Sequence, residues 1–318
     1  MITKKQDVIN IKKVILFIVF LSIFILAFTL KTKKTNPVEV QEKVNKDNST
    51  IINYKDMNKN EIQKIDLEDY VVNVVAAEMP ASFEFEALKA QTLAARTYAL
   101  KNKSFITNDI NSDQAFVGEG EMKKRWGKNF EKNYDKIKQA VKETKGQVIV
   151  YEGELIDAVY HSTSAGKTQN AEDVWKYEHP YLKSVMSRVD EQAPSYNSQY
   201  KISDKGLLEI FKKVLKINDK KLTIKVKERY KTGYVKTVLI NEIEVKGTEL
   251  RKILNLRSNN FDIEKKRSDY IFKTKGYGHG VGMSQYGANF LAKEGMKYDE
   301  IVKYYYTGVE ISKISDIR

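Results

Sequence analysis

The stretch DLEDYVVNVVAAEMP, residues 66–80, decides how this chain is read. Leu67, Val71 and Val74 recur at i, i+4 and i+7, the spacing of one helical face. Asp66 is a natural N-cap. Pro80 pushes Met79 out of the α region, so the helix should stop there. Glu78 stands at i+11 from Leu67. At about 100° per residue it returns to within about 20° of the apolar stripe. The pattern therefore predicts a carboxylate on the greasy face at the C-terminal end of a helix. Burial disfavours its charged form, and the negative end of the helix dipole acts in the same direction. Both raise the pKa above the ordinary ~4.3, as a general acid near neutral pH requires. A plainer role stays open at this point: an ion pair with a nearby Arg or Lys, or a cap on the next turn.

A short link, Met79 to Ser82, leads to a second helical stretch, FEFEALKAQTLAARTYALKNK. Ser82 is the expected cap, and Glu84 and Glu86 suit the positive first turn. Phe85, Leu88, Thr92, Ala95 and Ala99 mark an inner face. The alanines at 87, 90, 94 and 95 let a neighbour approach closely. Gln91 falls beside Leu88 and Ala95, so a polar group enters the core or a cleft. Arg96 is either a partner for a carboxylate or a surface charge.

Outward from these helices, the 318 residues are 42% hydrophobic and 31% charged, enough apolar content and length for a real core. Cysteine is absent, which removes disulfides and thiolate chemistry, and three histidines leave little for imidazole-rich mechanisms. Residues 14–30, VILFIVFLSIFILAFTL, carry no charge. At ~1.5 Å per residue they nearly span a hydrocarbon core of roughly 30 Å. A cleaved signal would show an A-x-A site, and Ala27-Phe28-Thr29 is a poor one, so a retained anchor is expected. Lysines flank both ends, but a short head (1–13) and a long body place the body outside. Without residues 1–30 the body keeps 51 basic against 41 acidic residues. Outside a cell this charge suits an anionic wall polymer or membrane surface and excludes nucleic acid as a natural partner; a plain Lys-rich composition also accounts for it.

Residues 31–60 are polar and aperiodic and read as a stalk before a body over 61–318. Helical periodicity over 66–102, near 204–216 and over 284–306 is interspersed with strand-like runs at 147–151, 155–161, 221–229 and 234–246. That mixture without βα alternation predicts an α+β fold of helices and antiparallel strands around a cleft, with about 190–270 as an inserted subdomain.

Two loops follow. LIDAVYHSTSAGKT (155–168) reads as a strand entering a Ser/Thr/Gly turn, with His161, Ser162, Ser164, Gly166 and Lys167 offering a rim of hydroxyl and amide groups for sugar. A turn with a satisfied histidine is the alternative. GYGHGVGMSQYG (276–287) has glycine at 276, 278, 280 and 282, which period two places on one side of an extended strand. Tyr277 and His279 then face the other way, and Ser284 caps a helix opened by Gln285 and Tyr286. The bare face admits another backbone or a flat ligand. The run is not a G-x-G-x-x-G or P-loop motif, so nucleotide binding is not supported.

The run over 67–100, from LEDYVV to RTYAL, resembles the signature of the stage II sporulation protein D family, which includes the LytB-type amidase enhancers. GHGVGMSQYGA (278–288) resembles its second signature and LRSNNFDI (256–263) a weaker third; together the matches cover about 61–308. Relatives often carry Pro where Glu84 stands, and either residue suits a first helical turn. The resemblance implies that Glu78, in the E-M-P step, is a catalytic acid. It implies a peptidoglycan lytic transglycosylase that needs no metal or cofactor and prefers peptide-stripped glycan strands. It further implies a P-type amidase partner, an M-type membrane protein, and a single-pass place in the mother-cell membrane facing the forespore during engulfment. The amidase enhancers imply the alternative of a non-catalytic wall-binding module. Some relatives build a zinc site with Cys near the first loop, which a chain without Cys cannot copy; His161 and His179 with carboxylates are the remaining candidates.

Ser164-x-x-Lys167, Ser195-x-Asn197 and Lys231-Thr232-Gly233 occur in the order used by penicillin-binding proteins. Against a serine acyl-transferase stand a turn where S-x-x-K should open a helix, short spacings, and a K-T-G placed in a hairpin turn.

Overall fold

The computed structural model describes residues 49–57, 60–101, 105–109, 113–175, 177–217 and 219–317. The expected anchor over 14–30, the head before it and the polar stretch over 31–48 lie outside them. No helix among the described residues is long and apolar enough to cross a membrane.

Strands β1 (Ile51–Asp56) and β2 (Glu61–Asp66) pair antiparallel, Ile51 opposite Asp66, and β3 (Ile106–Thr107) joins β1 in parallel. This corrects the expected stalk: residues 51–56 belong to the fold. Tyr54 is buried and Ile52 packs beside it, an apolar alternation only two residues long.

Helix α1 (Leu67–Glu78) begins as expected, with the Asp66 carboxylate accepting from the amides of Glu68 (2.8 Å) and Asp69 (3.3 Å). It ends at Met79, which is extended, as a residue before proline must be. Helix α2 (Phe85–Leu100) is buried nearly all round, its alanines letting α1 and later helices close upon it. Ser82 is exposed and does not cap α2. Phe83 is instead buried edge-on against Tyr286, and the free amide of Glu84 donates to Asn289 Oδ1 at 2.7 Å. Arg96 of α2 is fully buried. Its guanidinium meets Glu68 at 2.6 Å and also donates to the carbonyl of Gln147 at 3.0 Å, tying α1 and α2 to the next sheet.

Helices α3 (Glu119–Trp126) and α4 (Phe130–Glu143) lead to β4 (Gln147–Tyr151), which pairs antiparallel with β5 (Glu154–Leu155) on one edge. The expected strand over 155–161 is broken into β5 and β6 (Tyr160–His161). A short turn α5 (Ala171–Val174) follows. Beyond it come β7 (Asn197–Ser203), α6 (Asp204–Leu215), β8 (Ile224–Arg229), β9 (Val235–Ile240), β10 (Ile243–Lys246), α7 (Gly247–Leu254), β11 (Phe261–Lys266) and β12 (Asp269–Lys275). Asn241, with φ of 50°, splits the run over 234–246 into β9 and β10. The two antiparallel sheets, β10-β9-β8 and β11-β12-β7, share with α6 and α7 a separate apolar cluster that includes Leu207, Phe211, Val238, Leu250 and Phe272.

The chain then returns to the first cluster through β13 (Met283–Ser284), α8 (Gln285–Lys293), α9 (Tyr298–Tyr305) and β14 (Glu310–Lys313). The helical region expected over 284–306 is two helices, parted at Gly295 with φ of 97°. β13 pairs in parallel with β6, Met283 opposite Tyr160 and Ser284 opposite His161, while β14 pairs antiparallel with β4. The architecture is α+β with mainly antiparallel pairing, as the sequence implied.

Candidate active site

Glu78 is the last residue of α1 and is half-buried. Leu67, Val71 and Val74 on the same face are buried, so the helical stripe carries the carboxylate to the edge of the core. Its Oε1 accepts the amide of Ala115 at 2.7 Å. Tyr160 of β6 and Gln285 of α8 stand beside the carboxylate and favour its charged form. Burial pushes its pKa up; the Ala115 amide, the Tyr160 hydroxyl and Gln285 pull it down by favouring the charged form. Burial wins, and the pKa lies above the ordinary carboxylate value. A proton is therefore retained to higher pH, with polar groups ready to receive the charge when it leaves.

Around this carboxylate the side chains form a chain of hydrogen bonds. The Tyr70 hydroxyl donates to Gln114 Oε1 at 3.2 Å, and Gln114 Nε2 donates to the Tyr160 hydroxyl at 2.9 Å. Burial is the main cause that raises the pKa of both phenols, so they stay protonated. Gln285 Nε2 lies 3.5 Å from Gln91 Oε1, and Gln91 is fully buried with its own Nε2 unpartnered. The polar group expected at 91 thus reaches toward the site.

The glycine run does not form the extended strand expected from its period. Gly276, Gly278, Gly280 and Gly282 all have positive φ, between 71° and 120°. The reason is close approach to the first loop. A Cβ on Gly276 would lie 2.8 Å from Ser164 backbone, and one on Gly282 would lie 2.1 Å from the Val159 carbonyl oxygen. Tyr277 and Thr163 exchange backbone hydrogen bonds of 2.7 and 3.0 Å, and the Gln169 amide donates to Gly280. The bare positions therefore admit another backbone.

The two histidines of these segments meet with ring centroids 5.6 Å apart. His161 Nδ1 donates to the Val281 carbonyl at 3.0 Å, leaving its buried Nε2 as an unpartnered lone pair. His279 accepts from the Val281 amide at Nδ1 and donates from Nε2 to the Tyr160 carbonyl at 3.0 Å. Burial lowers His161 to about 3 and His279 to about 4, helped by His279 in the first case and Arg251 in the second. Both rings are neutral at physiological pH. His279 also packs against the exposed Trp175, centroids 5.2 Å apart.

Ser164 and Ser284 are fully buried and share Asp190. Its carboxylate accepts the Ser164 amide and the Ser284 hydroxyl, each at 2.8 Å. Ser284 also caps α8, accepting the Gly287 amide at 3.2 Å. Gly166 is buried; Ser162, Lys167 and Tyr286 are half-buried; Tyr277 is exposed beneath Arg257. Of the expected site residues, the structure thus brings Gln285 to Glu78, and it stacks His161, His279, Ser164 and Ser284 into the frame behind. Tyr160, Gln114, Ala115 and Asp190 were not singled out from sequence. No short motif marks them, since they act from three separate segments of the chain.

The S-x-x-K and K-T-G steps lack the helix and strand that an acyl-transferase needs. Ser164 lies in a loop, and Gly233, at φ of 89°, closes a turn in which the Gly233 amide donates to the Tyr230 carbonyl. No group of three metal-ligating His, Asp or Glu side chains exists among the described residues. His161 sits with His279, whereas His179 sits with Tyr181 and Asp157.

A family model described as "Stage II sporulation protein" matches residues 55–151, the segment that carries Glu78, Gln114 and Arg96. The chain is 40% identical over 262 residues to Stage II sporulation protein D of Bacillus subtilis (strain 168), covering 79% of this chain and 76% of that protein. It is 39% identical over 263 residues to Stage II sporulation protein D of Bacillus amyloliquefaciens, with the same coverage of 79% and 76%. It is also 32% identical over 291 residues to the Amidase enhancer of Bacillus subtilis (strain 168), covering 75% of this chain and 40% of that protein. The chain belongs to the stage II sporulation protein D family.

Proposed function

We propose that the protein is a lytic transglycosylase acting on peptidoglycan during sporulation. Its bond is the β-1,4 link from MurNAc to GlcNAc. Neutral Glu78 protonates the leaving glycosidic oxygen as the C1–O bond breaks. The resulting carboxylate takes the proton from the C6 hydroxyl of the same MurNAc, whose oxygen bonds to C1 and leaves a 1,6-anhydro end. The observation that carries this reading is the half-buried Glu78 carboxylate at the end of α1, held by the Ala115 amide, where burial pushes its pKa up. The Ala115 amide bonds it, and a phenol and a carboxamide stand beside it. Ordinary glycosidases need a second carboxylate at roughly 5–5.5 or 6.5–9.5 Å. A substrate hydroxyl as nucleophile removes that need.

Ser162, Lys167, Tyr277 and Tyr286 are the side chains we assign to glycan contact, with Gln285 beside the acid. His161, Ser164, Gly166, His279 and Ser284 shape the wall of the site. The anchor over 14–30 holds the body at the outer face of the mother-cell membrane, beside an amidase of the P type and a membrane protein of the M type. The layer over about 190–270 is an inserted subdomain.

Similarity to a protein named Amidase enhancer favours a second reading, a wall-binding module that stimulates an amidase without cutting glycan. Product analysis on amidase-stripped glycan strands separates the two. Anhydro ends formed by this protein alone support the enzyme. Stimulation of an added amidase, with no anhydro ends, supports the module.

A further inference from the structure

We propose that Tyr160 is a positioning residue that aims its hydroxyl proton at Glu78, held in that orientation by Gln114; this rests on the reading of Glu78 as the acid. The argument is one of donors and acceptors. Tyr70 sits on α1, and its hydroxyl donates to Gln114 Oε1 at 3.2 Å. With Oε1 on Tyr70, the Gln114 amide turns its other end to β6. The other end, Nε2, donates to the Tyr160 oxygen at 2.9 Å. A phenol has one proton to give. With Gln114 supplying a donor to its oxygen, Tyr160 directs its own proton away from Gln114, on the side where the next residue's amide holds Glu78. Gln114 is 2% exposed, so water does not compete freely for this chain. The Ala115 amide follows Gln114 directly and takes Glu78 Oε1. One loop therefore fixes both the carboxylate and the phenol.

The chemical consequence lies in what each protonation state gains. A phenol donor bonds a carboxylate more strongly than a carboxylic acid. Tyr160 therefore favours the state that Glu78 reaches after giving up its proton. It makes the acid stronger without exposing it to water. The titratable groups that face Glu78 are Tyr70 from its own helix and Tyr160 from β6. Helix α8 presents Gln285, and the 113–117 loop presents Gln114 and the Ala115 amide, none of which titrates. Both phenols stay protonated, so the titration observed is that of Glu78.

The test compares the whole protein with Tyr160→Phe and Gln114→Met. The readout is the Glu78 carboxyl carbon followed by NMR through a pH titration, assigned with Glu78→Gln. Removal of one hydrogen bond to a charged group should move the midpoint up by about one pH unit in Tyr160→Phe. Gln114→Met should move it in the same direction by less, because the hydroxyl is then free to turn. On stripped glycan, kcat should fall about tenfold in Tyr160→Phe with KM unchanged, and the basic limb of the pH profile should move up with the midpoint. An unchanged midpoint in both variants overturns the proposal. A fall in activity with the titration unmoved also overturns it, since that is what a merely structural tyrosine would give. If the wild-type protein cuts no glycan, the transglycosylase reading fails, while the titration still decides the role of Tyr160.

Discussion

Gly278 and His161 touch so closely that a Cβ built on the glycine would lie 2.7 Å from the Cβ of the histidine. The glycine also has φ of 120°, a backbone state that side chains rarely adopt. Both facts follow from one arrangement. At Gly276, Gly278 and Gly282 the segment lies against residues 159–164 with no room for a Cβ. Gly278→Ala should therefore destabilise the fold by about 3 kcal/mol or more, from backbone strain and overpacking together. Gly153→Ala, in a turn with open space around the glycine, is the matched control for positive φ alone. Denaturant melts of the two variants check this. Equal losses would mean that the close approach to His161 costs nothing.

Fully buried Arg96 of α2 meets half-buried Glu68 of α1 at 2.6 Å. Removing one partner strands the other charge in a poor solvent. Glu68→Ala should cost about 3–5 kcal/mol. Arg96→Lys should recover little, because an ammonium cannot reproduce the planar fork that also reaches the Gln147 carbonyl. Chemical denaturation of both variants decides the point.

Asp190 ties Ser164 to Ser284, and burial raises its pKa from 3.8 to about 6. In the unfolded chain the group titrates near its ordinary value. The folded state therefore binds this proton more tightly between about pH 4 and pH 6. With respect to this group, stability rises as pH falls through that window, and the cost of burying its charge is fully present above pH 6. About two pKa units correspond to about 3 kcal/mol. Relative to Asp190→Asn, the wild-type protein should gain about that much stability between pH 7 and pH 4. Melts of both proteins at three pH values measure it. A constant difference would contradict the raised pKa.

His161 and His279 are held neutral by burial, at about 3 and about 4. Their ring resonances should not shift between pH 8 and pH 5. A midpoint near 6.5 for either would contradict the assigned tautomers and bring an imidazole back into the chemistry.

The helix ending at Glu78 was legible because three apolar residues, a cap and a proline each spoke to the same local structure. The α+β class followed from the mixture of periods. The strand over 51–56 was hidden, since Ile52 and Tyr54 alone pack on the core and polar sequence surrounds so short an alternation. The glycine run was misread for a different reason. Period two in sequence matches a strand, but the positive φ at every second residue is imposed by the segment beside it. Tyr160, Gln114 and Asp190 could not be found at all, because their roles depend on hydrogen bonds between segments far apart in the chain. Ser164 and Ser284 carried hydroxyls that suggested sugar contact. The fold turns Ser284 onto Asp190 and caps α8 with it, while Ser164 is sealed beside them.

The central claim is that the proton of one carboxyl group cuts the glycan. Mass spectrometry of products from peptide-stripped strands, with wild-type protein and Glu78→Gln side by side, tests it most directly. The account predicts 1,6-anhydro ends from the wild-type protein and none from Glu78→Gln, with glycan binding equal in both. Equal yields of anhydro ends from the two proteins would contradict it.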